Sequence, residues 1–350
     1  MLNIVVVGPG LMGKQHIERI EATSGMVLSA VVAPASSVNR DYVARLNVPM
    51  FSDLGRCIEF QKPDGVIIAS PNKFHTEQAI VCIKHDIPVL IEKPLATCLK
   101  EGRRIVDFAK ERDFVHKVMV GHHRAYSPLI QHACRIIESG RVGSLVTVQG
   151  SAQFYKPECY FVEGEWRTRL GGGPILINMI HEVGNLRKLI GEIELVQVIS
   201  SSERRGYEVE DTAVMNFRFE NGVLGSFVLS DTAASTQSWE LTSAENPSYP
   251  HYAEENCYSI SGTLGTLDIP TMNIKAYASS DTASWMEAFD EYDAPVDRQD
   301  PLLLQLEHFK QMLNGDEGPV VSVWDGYCNL AVVEAIKQAE ESGCLERVVY

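Results

Sequence analysis

Residues Asn3 to Ala33, NIVVVGPGLMGKQHIERIEATSGMVLSAVVA, carry the spacing G-x-G-x-x-G at Gly8, Gly10 and Gly13 between an apolar strand and a helix with Ile17 and Ile20 on one side. That context makes the spacing informative, because the pattern by itself is common. Each glycine has its own task. Gly8 makes a tight turn, Gly10 lets the backbone approach a pyrophosphate, and Gly13 permits close helix–sheet contact. Phosphates then rest on free N–H groups at the helix start, near Leu11 and Met12. A dinucleotide-binding domain is therefore expected to open the chain.

The pattern that follows is α/β. Helical stretches are expected near Val38–Leu46, Leu54–Phe60, Thr76–His85 and Cys98–Arg112, alternating with strands at Val48–Phe51, Gly65–Ala69, Val89–Ile91 and Val115–Val120. Such alternation predicts a doubly wound parallel sheet with helices on both faces, a Rossmann domain over residues 1–123. The rest, 124–350, has another texture. Strands are expected at Leu145–Tyr155, Glu194–Ser200, Thr212–Phe219, Val223–Ser230, Trp239–Ser243, Cys257–Ser261 and Thr266–Ile269, with Asn221-Gly222 as a hairpin signal. This predicts an α+β domain with an open, mainly antiparallel sheet and helices on one face, serving substrate binding and oligomerisation. The acidic stretch Asp281–Asp300 reads as a solvated loop, followed by helices at Pro301–Leu313 and Asp325–Ser342.

Composition narrows the partners. A chain of 350 residues, 45% of them hydrophobic, can bury a large core and suggests two domains. Its apolar runs stay far short of the ~20 residues that cross a bilayer, so a cytoplasmic protein is expected. The net charge of −15 disfavours nucleic acid and anionic membranes. The eight cysteines have no C-x-x-C pair and read as reduced thiols, and no histidine/carboxylate set has metal-ligand spacing.

Ligands of an open parallel sheet bind beyond the carboxyl ends of its strands. Three strand ends stand out: Ala69-Ser70-Pro71-Asn72-Lys73-Phe74-His75, Glu92-Lys93-Pro94, and Gly121-His122-His123-Arg124-Ala125-Tyr126. With the glycine turn and the later Gly171-Gly172-Gly173-Pro174…His181, they make the chain resemble the Gfo/Idh/MocA oxidoreductases, NAD(P)-dependent dehydrogenases of sugars, inositols and related diols. The resemblance implies that Lys93 is the catalytic lysine and His181 the catalytic histidine. It also implies that Ser70, Asn72, His75, Glu92 and Lys93 line the nicotinamide and its ribose. Many relatives have an Asp four residues before the histidine and another three after it. Here those places hold Ile177 and Gly184, so the usual polyol contacts do not carry over.

Elementary chemistry agrees with those roles. Oxidising a secondary alcohol removes the hydroxyl proton while hydride leaves the carbinol carbon, so a base and a cation are needed beside the developing alkoxide. Histidine and lysine supply them. Asn178, His181 and Asn185 form one polar stripe on the second domain's helix. Arg124, Tyr155, Trp166, Arg167 and Asn178 are expected to join Lys93 and His181 in holding substrate. Aromatic rings stack on sugar or cyclitol faces, whereas arginine forks grip carboxylates, and both readings stay open. A protein of this fold can also act as a dinucleotide sensor without turnover; retention of Lys93 and His181 favours the enzyme.

Two further expectations concern cofactor and assembly. The acidic residue ~20 positions beyond the last turn glycine, which selects NAD, is absent; Ser36, Ser37 and Arg40 lie there instead. Small hydroxyls with a guanidinium accommodate a 2′-phosphate, so NADP is slightly favoured over NAD. Met215, Phe217 and Phe219 alternate on one strand while the next is mixed, so neither face of the sheet reads as polar. A homodimer or homotetramer through that sheet is expected.

Overall fold

The computed structural model describes Met1–Tyr350 and resolves two compact units. The first begins with β1 (Leu2–Val7), α1 (Leu11–Ala22), β2 (Met26–Val32), α2 (Ser37–Arg45), β3 (Met50–Phe51), α3 (Leu54–Gln61) and β4 (Gly65–Ile68). It continues with α4 (His75–Lys84), β5 (Val89–Glu92), α5 (Leu99–Glu111) and β6 (Val118–Gly121). All strand pairs are parallel, in the order β3-β2-β1-β4-β5-β6. Every residue of β4, β5 and β6 is buried, as a sheet covered on both faces requires. Strand order reverses between β1 and β4, the usual ligand crevice of such sheets. The last strand starts later than its sequence suggests, because Val115–Lys117 is a tight 3₁₀ turn.

The second unit starts with α6 (Pro128–Glu138), capped by the Ser127 hydroxyl, which accepts from the Leu129 and Ile130 amides. Next come β7 (Leu145–Gln153), the short α7 (Glu158–Val162), a wide π turn at Ile175–Met179 and α8 (Ile180–Leu189). Then follow β8 (Ile193–Ser201), β9 (Thr212–Phe219), β10 (Leu224–Ser230), α9 (Trp239–Thr242), β11 (Tyr258–Gly262), β12 (Gly265–Ile269), β13 (Asn273–Ala276) and β14 (Asp290–Asp293). The sheet runs β14-β13-β12-β11-β7-β10-β9-β8-β15, with β15 at Glu346–Arg347. Its pairs are antiparallel except β7 with β10.

Along β9 burial alternates: Ala213, Met215, Phe217 and Phe219 face the core, and Val214, Asn216 and Arg218 face out. The two faces are thus distinct, although the outer one keeps exposed Val146, Ile199, Val214 and Leu224.

Three local expectations are corrected. Trp239–Ser243 is a helical turn and no strand: the Ser238 hydroxyl caps it at Leu241 N, and Thr242 Oγ1 donates to Ser238 O at 2.7 Å. The local side-chain bonds satisfy backbone groups that a ladder would otherwise take. Within the acidic stretch, Asp290–Asp293 pairs with β13 as an exposed edge strand, held by main-chain bonds and by Asn273 Nδ2 donating to Asp293 Oδ1 at 3.2 Å. Charges on a solvated edge hide its strand signal.

The chain between α10 (Pro301–Asn314) and the early part of α11 (Val323–Ser342) belongs to the first unit, which takes in Pro301–Leu330. Residues 124–350 therefore do not run as one uninterrupted domain. Val120 N donates to Val321 O at 3.0 Å, and Leu313 and Phe309 close on Gly65 at β4. By pattern alone the buried face of α10, with Leu302, Leu306 and Phe309, could cover either sheet; this packing decides it. No helix is long and apolar enough to cross a membrane.

Candidate active site

In the first unit the glycine turn and the ends of β4 and β5 form one polar edge. Gly8 has φ of +89°, and a Cβ there would lie 2.6 Å from Ser70 Cα, so the turn and the β4 end touch backbone to backbone. A Cβ on Gly13 would sit 2.0 Å from Gly8 O, which explains the close seat of α1 against the turn. A Cβ on Gly10 would meet nothing within 4 Å. Gly10 is the N-cap of α1, with no side-chain cap and no acidic residue in the first turn, and Leu11 is exposed beside it. Open space, uncapped N–H groups and no competing carboxylate fit a dinucleotide pyrophosphate.

Around this turn the side chains mostly brace backbone. His75 is buried; its Nε2 lies 2.8 Å from Ser70 O and its Nδ1 3.0 Å from Pro94 O, tying the β4 end to the β5 end. Burial pushes its pKa down against those bonds, so the neutral ring donates to one carbonyl at a time. Glu92 is buried too, with Oε1 2.7 Å from His16 Nε2, and its Oε2 accepts from Lys93 N at 3.2 Å. Burial opposes ionisation of Glu92, but the bond and charge of His16, with His123 and Lys93, outweigh it and hold the carboxyl below its usual range. The Lys93–Pro94 peptide is cis, and Lys93 is half-buried. Ser70 Oγ donates to Gln78 Oε1 at 2.6 Å, and Asn72 heads a short turn beside it. At the end of β2, Ser36 caps α2 by accepting from Asn39 N at 3.2 Å, Ser37 is exposed, and Arg40 Nη2 donates to Ala35 O at 3.1 Å.

The second unit holds a cleft of about 1170 Å³ whose walls include Phe154, Tyr155, Lys156, Tyr160, Asn178, Glu240 and Tyr249. Of the residues expected to hold substrate, Tyr155 and Asn178 line it. Arg167 lies with its guanidinium 3.9 Å from the Tyr160 ring centroid and donates to Tyr160 O; Trp166 is exposed beside it. Arg124 stands apart from that expectation. It is buried, with Nη1 donating to Glu182 Oε1 at 2.5 Å and Nη2 to Glu240 Oε1 at 2.6 Å. Glu182 also accepts from the Tyr258 hydroxyl, and Tyr258 OH accepts from Asn185 Nδ2 at 3.2 Å. Asn185, one of the polar stripe, is thus a core residue, whereas Asn178 opens on the cleft. His181 sits in the first turn of α8, half-buried.

Residues outside the expected set matter here. Lys156 donates to Asn178 Oδ1 at 2.7 Å. Arg205 joins Asp231 at 2.9 Å and the Lys156 carbonyl at 2.8 Å. Glu210 accepts from Ile175 N at 2.7 Å at the head of the π turn, pressed so close that a Cβ on Gly173 would meet its Oε1 at 2.7 Å. Burial pushes Glu210 up to about 7, against the Ile175 N–H. The Gly171–Gly173 run signals a tight place in sequence; that Glu210 fills it is a tertiary fact.

Two family models match: an oxidoreductase family with NAD-binding Rossmann fold over residues 2–122, and the GFO/IDH/MocA C-terminal domain over residues 130–268. The chain belongs to the GFO/IDH/MocA oxidoreductase family. Among curated relatives, an inositol 2-dehydrogenase of Rubrobacter xylanophilus is 27% identical, matching 98% of this chain and 92% of its own length. An inositol 2-dehydrogenase of Corynebacterium glutamicum is 33% identical over a shorter match, 43% of this chain and 44% of its own. The fold is that of the WlbA dehydrogenase from Bordetella pertussis, solved with NADH and UDP-GlcNAcA: TM-score 0.78, 22% identity, 100% of this chain and 99% of that one. This GFO/IDH/MocA member is thus of an oxidoreductase family with an NAD-binding Rossmann fold.

Proposed function

We propose that Lys93 and His181 carry hydride transfer between nicotinamide and a secondary alcohol or ketone of a sugar, cyclitol or related diol. The observation that supports this most is the Glu92-Lys93-Pro94 turn, anchored by buried Glu92 on His16 at the carboxyl edge of the parallel sheet. Bound nicotinamide supplies the hydride acceptor at C4. His181 takes the hydroxyl proton, and the Lys93 ammonium offsets charge on the carbinol oxygen as the C–H bond breaks. In the reductive direction His181 returns the proton. Gly10, Leu11, Met12 and Gly13, after the Gly8 turn, would hold the pyrophosphate through their N–H groups, and Ser70 and Asn72 would stand beside the ribose. His75 and Glu92 hold the strand ends in place. Asn178, Tyr155, Trp166 and Arg167 face the substrate, and Arg124 acts by fixing Glu240.

Ser36, Ser37 and Arg40 favour NADP over NAD, since no carboxylate there repels a 2′-phosphate. Arg40→Ala then weakens NADP and leaves NAD unchanged in a fluorescence titration. The outer sheet face, with exposed Val146, Ile199, Val214 and Leu224, suits self-association into a dimer or tetramer. Light scattering at micromolar concentration gives a multiple of the chain mass if so. Eight cysteines, none of them in a disulfide, suit the reducing cytoplasm.

The test of the central reading is Lys93→Met. Removing stabilisation that acts on the transition state lowers kcat by about 10²-fold or more and leaves dinucleotide affinity within a few-fold. Unchanged turnover of polyols or sugars in that variant overturns it.

A further inference from the structure

The cleft of the second unit contains a cation to which hydride transfer gives no task, Lys156. It is 8% exposed, and its Nζ lies 5.3 Å from the Phe154 ring centroid and 5.0 Å from that of Tyr160. An ammonium has three donors and no acceptor. Asn178 Oδ1 takes one of them at 2.7 Å. Asp231 stays at 3.8 Å, beyond hydrogen-bond reach, and is held instead by Arg205 Nε at 2.9 Å. Asn178, having turned its oxygen to Lys156, presents its amide nitrogen as a donor. One wall of the cleft therefore offers donors side by side, where a polyol site built on a carboxylate would offer acceptors. Glu240, also in the cleft wall, gives its Oε1 to Arg124 at 2.6 Å, while its buried Oε2 has no hydrogen-bond partner.

A neutral hydroxyl oxygen satisfies one such donor. A carboxylate has two oxygens and satisfies both with charge assistance. We infer that this cleft holds the carboxylate of a polyhydroxy acid, an aldonate or uronate, between Lys156 Nζ and Asn178 Nδ2. The inference rests on the hydride-transfer reading, because it places the acid relative to the reacting carbon. Asn178 precedes His181 by three residues, where the π turn runs into α8. The reacting carbinol is then a few bonds from the acid group, with the sugar face against Tyr160 or Tyr249.

The protonation state of Lys156 reports the occupant. Burial lowers its pKa to about 8, opposed by Asp231 and Glu240 and reinforced by Arg167 and Arg205. An anion seated on the ammonium restores the charged form, so at pH 8.5 binding takes up protons.

The experiment is calorimetric titration of the full-length protein, with and without oxidised dinucleotide, at pH 8.5 in two buffers of different ionisation enthalpy. The probes are D-gluconate and D-glucuronate against D-glucose and myo-inositol. The acids bind about tenfold tighter or more, with proton uptake. Lys156→Met abolishes both the preference and the uptake; Lys156→Arg keeps a preference without uptake, and guards against a Met variant that fails to fold. Equal affinity for acids and neutral polyols, or a preference that survives Lys156→Met, overturns the inference. Turnover separates the two readings. If neutral polyols are oxidised and Lys93→Met stops it, only the carboxylate assignment falls; if Lys93→Met leaves turnover of every probe unchanged, the hydride-transfer assignment falls.

Discussion

The two units organise polar groups in opposite ways. In the first, the polar edge at the ends of β4 and β5 is built from backbone: an uncapped helix start at Gly10, glycines at positions 8 and 13 so tight that added carbons would collide, and a histidine whose two nitrogens lie beside main-chain carbonyls. In the second, the cleft depends on charged side chains meeting across long stretches of chain, Arg124 with Glu182 at a separation of 58 residues and with Glu240 at 116. On the proposed function, backbone donors would serve a cofactor whose phosphates never change. Side-chain pairs can be exchanged to suit a substrate, at the cost of buried charge whose removal in halves is destabilising.

The strongest way to break this contrast is Arg124→Met. It leaves Glu182 and Glu240 facing each other without a cation, where burial already pushes the Glu182 carboxyl up. The expected loss is about 3–5 kcal/mol in urea unfolding. A loss under ~1 kcal/mol shows that the network is not what organises the second unit.

Gly13→Ala probes the other side. Its methyl group meets Gly8 O, so α1 must shift; the expected strain is about 1–3 kcal/mol and dinucleotide affinity falls about tenfold or more. Unchanged binding of reduced dinucleotide, followed by its fluorescence, means that backbone closeness does not set that edge.

Glu210→Gln sharpens the comparison through pH. A carboxyl raised to about 7 in the fold from an ordinary 4.5 binds more protons native than unfolded. That contribution is present below the unfolded value and is lost as pH rises toward and through about 7. The variant should therefore gain on the parent by on the order of 2 kcal/mol between pH 4.5 and pH 7.5, measured by urea unfolding at each pH. A parallel pH profile for both proteins would falsify the assignment of Glu210 as a buried, protonatable brace.

The smallest effect is expected for Ser36→Ala. Losing the cap at Asn39 N costs about 1 kcal/mol by the same unfolding measurement. A much larger loss of NADP affinity than of stability would mean that Ser36 touches ligand as well.

Much of the first unit was legible because its signals are local. Strand–helix alternation, the glycine spacing and the Glu92-Lys93-Pro94 turn lie within short windows, and the parallel order follows from connection rules. The antiparallel run around Asn221-Gly222 was legible for the same reason, with Gly222 at φ of +86°. Trp239–Thr242 misled because aromatic and β-branched residues suggest a strand while one serine supplies a helix cap. β14 was hidden because an edge strand of Asp290, Glu291, Tyr292 and Asp293 needs no apolar face.

The sequence by itself determined the nucleotide half: a positive-φ turn at Gly8 that favours glycine, and apolar strands buried on both sides, leave few alternatives. Only the tertiary structure decided which charges meet. It paired Arg124 with Glu182 and Glu240, set Glu210 under the glycine run, and turned Asn178 toward Lys156. The physical reason is that a charge carries no periodicity. A glycine's φ is a property of its own position, but a buried ion pair exists only where distant segments fold together, and nothing at either residue specifies the other.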